Sequence, residues 1–325
     1  MQAVILAAGL GTRLRPLTAH ASKAMMPLLG RPLVQWVLDT LIPNEIDELI
    51  FIIAPEDPSI RAHFGEELAG GIRCRWVLQH ERLGMAHALS LARSLIRGPF
   101  ILSACDSFIS SEFVGQMLLR NDAAVLALQD LPLEKVSRSA SVQMEGNRIT
   151  AIIEKPTPEQ AFSPTVSLPL YLLPAEAAAI AAEIPKSPRG EFEIQDVIQC
   201  LIDQGRKVGG LKTDERLQVS NPRDYLDLSF RLLDRLRPEL PGNLPADLRV
   251  REPVLIEGPF QCDPGCEIGP HVVLGRGCFL GKNVRLERCV VSAGSRIENG
   301  ARIEDCVISI DSGDTVIFHP EKSPN

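Results

Sequence analysis

A six-residue spacing of aliphatic or small residues near the C-terminus constrains the fold of this chain more narrowly than any other feature. Nine successive units begin with such a residue, and one step, from Leu286 to Val291, is five residues long. The first positions of the units are Ile256, Cys262, Ile268, Leu274, Leu280, Leu286, Val291, Ile297 and Ile303. The fifth positions are mostly small or β-branched, which suits the narrow interior of a parallel β-helix. We therefore predict that residues 254–318 form about three triangular coils of a parallel β-helix.

Short apolar runs alternate with amphipathic stretches ahead of this repeat. The runs predicted as buried strands are Val4–Ala7, Leu49–Ala54, Cys74–Leu78, Phe100–Ala104 and Ala124–Leu128. The stretches predicted as helices between them are Leu33–Leu41, Ser59–Leu68, Met85–Leu95 and Glu112–Leu119. This alternation predicts a Rossmann-like α/β domain, with a mostly parallel sheet covered by helices on both faces.

The pattern changes after Gln129 and indicates an added antiparallel piece. Three closely spaced apolar runs follow, at Val142–Met144, Ile149–Ile153 and Leu168–Leu173. Helical periodicity then returns at Ala175–Ile184, Ile194–Gln204 and Tyr225–Leu236. Residues 238–253 carry four prolines and no periodicity, as linkers do. The predicted organisation is an α/β domain over residues 1–237, a linker over 238–253 and the repeat over 254–318.

Composition narrows the classes of protein to consider. The chain has 325 residues, of which 34 are Lys or Arg and 41 are Asp or Glu, for a net charge of −7. That charge disfavours a general binder of nucleic acid or of anionic membranes. The apolar runs fall short of the roughly 20 residues that a membrane span needs, and no basic segment precedes the first run. Eight scattered cysteines favour the reducing cytoplasm.

A glycine-containing loop follows the first predicted strand. It reads Gly9-Leu10-Gly11-Thr12-Arg13-Leu14-Arg15-Pro16. Glycines after a strand allow backbone N–H groups to approach a phosphate, and an arginine adds a planar charged group. The loop lacks the Lys-Ser/Thr end of a P-loop and the third glycine of a dinucleotide fingerprint. By itself it fits a structural turn as well as a phosphate site.

Further short motifs follow the glycine loop in order. They are Ser22-Lys23-Ala24-Met25-Met26-Pro27, Gln79 with Leu83-Gly84-Met85-Ala86-His87-Ala88, Asp106, Glu154-Lys155-Pro156 and Gly190-Glu191-Phe192-Glu193-Ile194-Gln195-Asp196. This ordered set, over about residues 2–235, resembles the sugar-1-phosphate nucleotidyltransferases. The C-terminal repeat also resembles that of relatives in this family, which implies a left-handed β-helix.

The resemblance implies a reaction and a set of roles. A sugar 1-phosphate attacks the α-phosphorus of a nucleoside triphosphate, and pyrophosphate leaves. Such a reaction needs two anions to be positioned and their charge neutralised. The resemblance assigns Arg13, Lys23 and Asp106 to catalysis and Asp106 to Mg²⁺. The residues assigned to the nucleotide are Ala8, Gly9, Gly11, Thr12, Gln79 and Gly84; those assigned to the sugar phosphate are Glu154, Lys155 and Glu191. Gln79 favours a pyrimidine, UTP or dTTP, and His87 is interpreted as a packing or surface residue.

Departures from the family pattern lie on the sugar and metal side. Ser141 stands where a glycine is usual, and Ser167-Leu168-Pro169 replaces an Asn-x-Gly segment. Gln218 aligns with a second metal-binding aspartate, and a neutral amide contributes no charge to Mg²⁺. These departures keep a second hypothesis open, in which the chain is a non-catalytic paralogue that binds nucleotide or NDP-sugar and regulates a partner.

The repeat raises two further possibilities. Many hexapeptide-repeat proteins are acyltransferases, but three coils offer little surface for an acyl-CoA, so we interpret the repeat as an assembly or regulatory module. It could join copies of the chain in a homo-oligomer. The spacing also predicts that His271, Cys289 and Cys306 stack in one column, where they could form a soft-metal site.

Overall fold

A computed structural model describes residues 1–15, 17–18, 22–311 and 313–320 of the chain. Pro16 of the glycine loop and Ser312 of the predicted repeat lie outside the described residues. The chain divides into two compact units. The first contains Met1–Leu10, Ser22–Met25 and Val34–Leu217, and the second contains the described residues of Gly11–Ala21, Met26–Leu33 and Gln218–Asn325.

The elements closely follow those predicted from periodicity. In chain order the strands are β1 Gln2–Leu6, β2 Pro27–Leu28, β3 Arg31–Pro32, β4 Glu48–Ile53, β5 Glu67–Leu68, β6 Ile72–Leu78, β7 Phe100–Ala104, β8 Ser107–Phe108, β9 Ala124–Asp130, β10 Ala140–Glu145, β11 Arg148–Glu154, β12 Thr165–Leu173, β13 Val208–Lys212, β14 Leu217–Gln218, β15 Arg249–Val250, β16 Val254–Ile256, β17 Gln261–Cys262, β18 Glu267–Ile268, β19 Val272–Leu274, β20 Phe279–Leu280, β21 Arg285–Val291, β22 Arg296–Ile297, β23 Arg302–Asp311 and β24 Asp314–Phe318. The α-helices are α1 Leu33–Leu41, α2 Ser59–Phe64, α3 Met85–Leu91, α4 Ser111–Leu118, α5 Leu133–Val136, α6 Glu176–Ile180, α7 Ile194–Asp203 and α8 Pro222–Leu236.

A mixed sheet forms the centre of the first unit. Its strand order is β10-β11-β13-β9-β12-β7-β1-β4-β6-β5. Strands β7, β1, β4 and β6 are parallel, whereas β12 runs antiparallel between β7 and β9. The β10–β11 hairpin adds to this antiparallel part. The predicted α/β sheet with an antiparallel addition is therefore confirmed.

Continuous apolar runs explain why the parallel strands lie in the middle of this sheet. All six residues of β4 are buried, as are all but the last residue of β1 and of β7. Strands buried on both faces lack the alternation of a half-exposed strand, and helices must cover both sides. The helix α7 supplies part of that cover, with Ile194, Val197, Ile198 and Leu201 in the same core cluster as the sheet.

One carboxylate, that of Glu48, is buried near the amino ends of the central strands. The Gln2 amide donates to it at 2.6 Å, and Arg97 and Arg75 donate at 2.7 and 3.3 Å. Burial by itself would raise the pKa of Glu48, but these hydrogen bonds and the arginine charges outweigh it and hold the pKa below the usual 4.5. The buried charge is thus fully partnered.

Three predicted helices are shorter than their apolar patterns; one of them, Ala175–Ile184, is an α-helix only over Glu176–Ile180. The predicted helix Ser59–Leu68 ends at Phe64, because Gly65 takes a left-handed φ of 68°; Glu67–Leu68 then forms an edge strand. The predicted helix Met85–Leu95 ends at Leu91 and continues as the 3₁₀ turn Arg93–Leu95. In all three cases the apolar period runs on past the end of the α-helix.

In the second unit, short parallel strands pair at intervals of about three hexapeptides. Strand β17 pairs with the strand 18 residues later, and β20 pairs with the strand 17 residues later. The shorter interval arises from the five-residue step between Leu286 and Val291, where β21 is continuous over seven residues and the chain turns at Arg288, whose φ is 50°. A second short step follows, because Val291 pairs with Ile308. The long strand β23 spans that step.

The ends of the repeat are covered by neighbouring segments. Arg249–Val250, inside the predicted linker, forms a strand that pairs with Glu267–Ile268. Three partly buried leucines of the same segment, Leu240, Leu244 and Leu248, pack against the repeat core. At the other end, Asp314–Phe318 pairs antiparallel with β23. The proline-rich segment is therefore more ordered than its composition predicts.

Candidate functional site

The predicted residues of the first unit gather at the carboxyl ends of its central strands. Strands β1 and β7 are parallel neighbours in which Leu6 lies opposite Ala104. The segment Ala7–Leu10 leaves β1 at this edge, and Asp106 follows β7 at the same edge. Ligands of open α/β sheets bind outside the carboxyl ends of the strands. The sheet register thus brings two of the predicted motifs side by side.

Lys23 and Asp106 form an ion pair at this edge. Lys23 begins a 3₁₀ turn, Lys23–Met25, and its Nζ contacts Asp106 Oδ2. The two side chains are 13% and 15% exposed, so a small opening reaches both charges. Burial raises the pKa of the neighbouring Cys105 thiol to about 12, so that side chain is neutral. The pair therefore offers one movable cation and one carboxylate to an anionic ligand.

Gly84 allows two distant motifs to pack against each other. Its φ is 113°, and a Cβ at this position would lie 2.4 Å from the carbonyl oxygen of Phe192. Backbone hydrogen bonds join the segments, from Phe192 N–H to Leu83 oxygen at 2.7 Å and from Ala86 N–H to Phe192 oxygen at 3.0 Å. These hydrogen bonds hold the predicted nucleotide segment directly against the segment that precedes α7.

His87 orients the predicted base-reading residue Gln79. The buried Gln79 side chain places Nε2 3.2 Å from His87 Nδ1, and the His87 ring stacks on Phe192 at 6.2 Å between centroids. The sequence interpretation of His87 as a packing residue missed this contact. In the sequence, the contact between Gln79 and His87 was indicated only by their spacing, from the end of a strand to the first turn of α3.

Arg82 is a second residue that the sequence interpretation did not select. Its Nε donates to the Ala8 carbonyl at 2.8 Å, and its guanidinium pairs with Glu56. Arg82 therefore ties the start of the glycine loop to the segment that precedes Gly84. A Cβ on Gly9, the residue after Ala8, would meet no atom within 4 Å beyond those of its chain neighbours, so the end of the strand is open there.

A charged cluster surrounds the predicted sugar-phosphate residues Glu154 and Lys155. Lys155 Nζ lies 3.6 Å and Arg189 Nη1 lies 3.7 Å from Glu154 Oε1, and Arg189 also pairs with Glu193 at 3.0 Å. Burial raises the pKa of Glu154 and of Glu193 despite these cations. The predicted Glu191 is exposed, and the buried carboxylate of the motif is that of Glu193. Arg189 and Glu193 are additional candidates that the structure adds.

Other predicted residues lie in the second unit. Gly11 has a left-handed φ of 61° and begins the 3₁₀ turn Thr12–Leu14, and the Thr18 hydroxyl donates to its carbonyl at 2.8 Å. Thr12 and Arg13 are exposed. Gln218 is half-buried in the short strand β14. Arg13 is thus accessible to a ligand from solvent.

Asp106 is the residue that the sequence resemblance assigns to Mg²⁺. Among the described residues, no group of three or more His, Cys, Asp or Glu side chains is arranged to hold a metal. Mg²⁺ commonly takes one or two carboxylates, with phosphate oxygens and water completing its ligands. A single accessible carboxylate beside a lysine fits that donor set, provided that a phosphorylated substrate contributes the remainder.

The strand register corrects one sequence interpretation, and the position of Ser141 adds detail to another. The predicted column of His271, Cys289 and Cys306 is wrong in part, because Val272, not His271, lies opposite Cys289. The five-residue step shifts the register by one residue; Cys289 and Cys306 do pair, with sulfurs 3.5 Å apart. Ser141 is fully buried, and its hydroxyl donates to the Ser163 carbonyl at 3.1 Å, so it supports the fold at its position.

A separate cavity of about 400 Å³ contains none of the predicted site residues. Its lining is formed by Arg120, Met144, Gly146, Asn147, Ser163, Thr165, Gly210, Leu211 and Lys212. Arg120 pairs with Asp122 and Lys212 pairs with Asp130, so both cations of the lining are already neutralised.

No helix in the described part of the chain is both long and apolar enough to cross a membrane.

Two protein-family models match this chain. The family model of the nucleotidyl transferases matches residues 2–235, and that of the GMPPB C-terminal domain matches residues 250–314. The chain is 31% identical over 239 residues to UTP–glucose-1-phosphate uridylyltransferase AglF of Haloferax volcanii, which covers 71% of this chain and 96% of that protein. It is 24% identical over 327 residues to the bifunctional protein GlmU of Methanococcus maripaludis, covering 95% of this chain and 77% of GlmU.

A solved structure shares the fold of most of the chain. The crystal structure of a UDP-glucose pyrophosphorylase complexed with UDP-glucose superposes with a TM-score of 0.65 at 19% identity. The match covers 72% of this chain and 98% of the pyrophosphorylase chain. Since the family model spans most of the chain and includes every candidate residue from Ala8 to Gln218, the chain belongs to the nucleotidyl transferase family.

Proposed function

We propose that this protein transfers a nucleotidyl group from a nucleoside triphosphate to a sugar 1-phosphate. A phosphate oxygen of the sugar 1-phosphate forms a bond to the α-phosphorus, the bond from that phosphorus to the β-phosphate oxygen breaks, and pyrophosphate leaves. The products are an NDP-sugar and pyrophosphate. The observation that carries the proposal is the Lys23–Asp106 pair at the carboxyl edge of the sheet in a member of the nucleotidyl transferase family.

The side chains would act by positioning and by charge neutralisation. Lys23 would leave Asp106 to contact the triphosphate, and the exposed Arg13 would add a second cation. Lys155 would bind the sugar phosphate, while Glu154 would accept hydrogen bonds from sugar hydroxyls. No nucleophile from the protein is required, because the attacking oxygen belongs to the substrate.

The residues proposed to bind the nucleotide favour a pyrimidine base. Gln79 is held by His87, so its amide has a fixed orientation from which it can read the edge of a base. The names of the Haloferax relative and of the solved pyrophosphorylase both concern uridine nucleotides. We therefore propose UTP or dTTP as the triphosphate.

A magnesium ion would be held by Asp106 together with phosphate oxygens. When bound, it would offset the negative charge that develops on the phosphates. Gln218 aligns with the second aspartate of the family pattern, so the chain would supply fewer charges to the metal than that pattern does.

The repeat is proposed to be a left-handed β-helix that serves assembly or regulation. The 17- and 18-residue intervals between paired parallel strands support three short strands per coil. We further propose that the protein works in the cytoplasm and that copies associate through the repeat. Sedimentation of the full chain over a range of protein concentrations would test the association.

Replacement of Lys23 tests the proposed reaction directly. The variant Lys23→Ala removes the cation that would contact the triphosphate, and we expect pyrophosphate release to fall by roughly 10² or more. Release is measured with Mg²⁺ across UTP, dTTP, GTP, CTP and ATP, each with a panel of hexose and hexosamine 1-phosphates. Lys135→Ala, at an exposed lysine in the same unit, is the matched control.

The outcome separates the enzyme from the regulatory alternative. Release by the wild-type chain and the Lys135 variant, with loss in Lys23→Ala, would establish the enzyme and identify its substrates. Equal release from the Lys23 variant would remove Lys23 from the mechanism. Silence of the wild-type chain across the panel, with nucleotide binding intact by thermal shift, would favour the non-catalytic paralogue.

Gln218→Asp tests the proposed metal deficit. An added carboxylate at the metal would lower the Mg²⁺ concentration needed for half-maximal release, by roughly tenfold for about 1.4 kcal/mol of extra interaction. The measurement is a Mg²⁺ titration of pyrophosphate release at saturating substrates. An unchanged midpoint would place residue 218 outside the metal site.

A further inference from the structure

The amide of Gln79 lies at the edge of the sheet where ligands of such folds bind. Gln79 directly follows β6, and its backbone N–H donates to the carbonyl of Ile53, at the end of β4, at 2.9 Å. Strand β4 is the parallel neighbour of β1, and the segment Ala7–Leu10 leaves β1 at the same edge. The carboxyl ends of the strands form the binding edge of an open α/β sheet. The backbone of Gln79 is therefore fixed at this edge, and the direction of its amide depends on the side chain.

The contact between Gln79 and His87 fixes the location of one proton. An amide nitrogen donates hydrogen bonds and does not accept them, whereas a histidine with one ring proton has one donor and one acceptor nitrogen. Gln79 Nε2 lies 3.2 Å from His87 Nδ1, so Nδ1 accepts and the ring proton is on Nε2 of His87. A proton on Nδ1 would face an amide hydrogen and would favour the opposite orientation of the amide.

The surroundings of His87 hold its ring in place. The ring stacks on Phe192 with 6.2 Å between centroids and 29° between planes. The preceding residue, Ala86, is fully buried, and its N–H donates to the Phe192 carbonyl at 3.0 Å. The carbonyl of His87 itself accepts from the Ser90 hydroxyl at 2.8 Å. The first turn of α3 is thus a fixed frame that gives the acceptor Nδ1 a constant position.

A fixed amide nitrogen also fixes the amide oxygen of Gln79. The two atoms are bonded to the same carbon, so Oε1 lies on the arm of the amide that is not directed at Nδ1. In the described part of the chain, the contact with His87 is the one side-chain hydrogen bond of Gln79, and it uses one of two amide hydrogens. The side chain is 5% exposed, so water would not compensate for a mismatched partner. Gln79 therefore offers a ligand an acceptor whose place is set by His87.

Pyrimidine bases differ in the partner that they present to such an acceptor. Uracil and thymine carry a donor, N3–H, between two carbonyl oxygens. Cytosine has a bare nitrogen at N3, which is an acceptor, beside an amino group at C4. An amide whose oxygen and nitrogen are fixed pairs with one of these two edges, whereas an amide that can turn over pairs with both.

We infer that His87 is a specificity-determining positioning residue, whose unprotonated Nδ1 holds the Gln79 amide in the orientation that accepts uracil or thymine and rejects cytosine. The inference rests on the proposed function for the base-reading role of Gln79. It goes beyond that function because it assigns the choice between the pyrimidines to a residue that acts through Gln79.

The test replaces His87 in the full chain with side chains of different hydrogen-bonding character. His87→Asp places an oxygen that can only accept at the same number of bonds from the backbone as Nδ1. His87→Lys offers donors alone, and His87→Phe keeps a ring beside Phe192 without a polar atom. His63→Asp and His63→Lys, at an exposed histidine of α2 in the same unit, are the matched controls. Melting temperatures of all five variants are compared with that of the wild type.

The readout is the kcat/KM for UTP divided by that for CTP, and likewise for dTTP and dCTP, from pyrophosphate release. The triphosphate is common to both substrates of a pair, so a change of charge at residue 87 cancels in the ratio. We expect the ratio to stay within about threefold of the wild type in His87→Asp and in both His63 variants. We expect it to fall about tenfold in His87→Phe, where the amide can turn over, and further in His87→Lys, where the amide oxygen is drawn to the lysine. A general loss of stability lowers both rates and leaves the ratio unchanged.

Two results would overturn the inference. Unchanged ratios in both His87→Phe and His87→Lys would show that His87 does not set the choice of base. The second readout is ¹⁵N NMR of the full chain with labelled histidine, in which the His87 signals are assigned by their loss in His87→Phe. A proton on Nε2 of His87 would support the inference, and a proton on Nδ1 would show that the ring does not hold the amide nitrogen.

Failure of the proposed function would be recognised separately. If the wild-type chain releases no pyrophosphate with any substrate pair, the binding of UTP and of CTP is measured by calorimetry. A preference for UTP that is lost in His87→Phe and kept in His87→Asp would then support the inference without turnover. Equal binding of the two nucleotides by the wild-type chain, or binding of neither, would overturn it.

Discussion

The ion pair of Lys23 and Asp106 shows what residue order can and cannot establish. Each residue was predicted from its place in an ordered series of motifs. Their mutual contact depends on the parallel register in which Leu6 lies opposite Ala104, a relation between residues almost a hundred positions apart. Likewise, the exposed Glu191 and the buried Glu193 occupy similar places in the sequence motif. Only the backbone path before α7 distinguishes them.

Glu48 carries a pH-dependent part of the stability. Its folded pKa lies below the usual 4.5, so its ionised form stabilises the fold at pH values above 4.5, and this contribution is lost as the pH falls through the lowered pKa. We expect Glu48→Gln to lower the free energy of unfolding at pH 7 by about 1–3 kcal/mol, because the arginines lose their carboxylate. Urea denaturation at several pH values measures this difference.

The difference between Glu48→Gln and the wild type should shrink as the pH falls from 4.5 through the lowered pKa, since the carboxylate is protonated first in the unfolded chain and, below the lowered pKa, in the folded chain as well. A difference that stays constant between pH 7 and the acid range would mean that packing, and not charge, accounts for the role of Glu48.

Elements were predicted well where one periodicity dominates and less well at their ends. The strand Phe100–Ala104 and the helix Leu33–Leu41 have the predicted bounds. The second five-residue step of the repeat was missed because Val307 and Ile308 are both buried and apolar, so the pattern fits either frame. A one-residue slip changes every pairing beyond it.

Gly84 joins two elements and permits a sharp prediction. In Gly84→Ala, residue 84 would have a positive φ and carry a Cβ 2.4 Å from the Phe192 carbonyl oxygen. One of the two segments would have to move to relieve this clash. We expect a loss of about 1–3 kcal/mol in the free energy of unfolding and weaker binding of the triphosphate, since the Leu83–Phe192 contact is disturbed. Urea denaturation and nucleotide titration measure the two effects.

Gly98→Ala is the matched control, because a Cβ there meets nothing within 4 Å and its φ is not left-handed. Equal stability of the two variants would show that the Phe192 segment moves aside at little cost.

At the scale of the whole molecule, the two compact units are interleaved along the chain. The second unit takes Met26–Leu33 from the N-terminal part, which the sequence boundary at residue 237 does not reveal. The reason is physical: the Tyr225–Pro27 hydrogen bond joins residues 198 positions apart, and no local pattern encodes such a contact. Periodicity identified the α/β sheet and the repeat, but not which unit holds Met26–Leu33.

A chain cut after residue 237 should therefore be less well folded than its family match suggests. It loses the strands that α8 packs against, including the contacts of Phe230 with His271 and Arg288. We expect residues 1–237 to bind the dye ANS more strongly than the full chain and to unfold at a lower temperature, because buried apolar groups become exposed. Dye fluorescence and thermal melts of both chains would measure this; equal values would show that residues 1–237 fold independently.

The strand Asp314–Phe318 pairs antiparallel with the C-terminal half of β23, at the last strand of the repeat. A stack of similar coils presents an open strand edge at its end, and such an edge can recruit the first coil of another molecule. The reversed strand occupies part of that edge, and the Thr315 hydroxyl accepts from the Arg296 N–H on a neighbouring strand. The terminal hairpin therefore leaves less of this strand edge open to end-to-end association with another molecule.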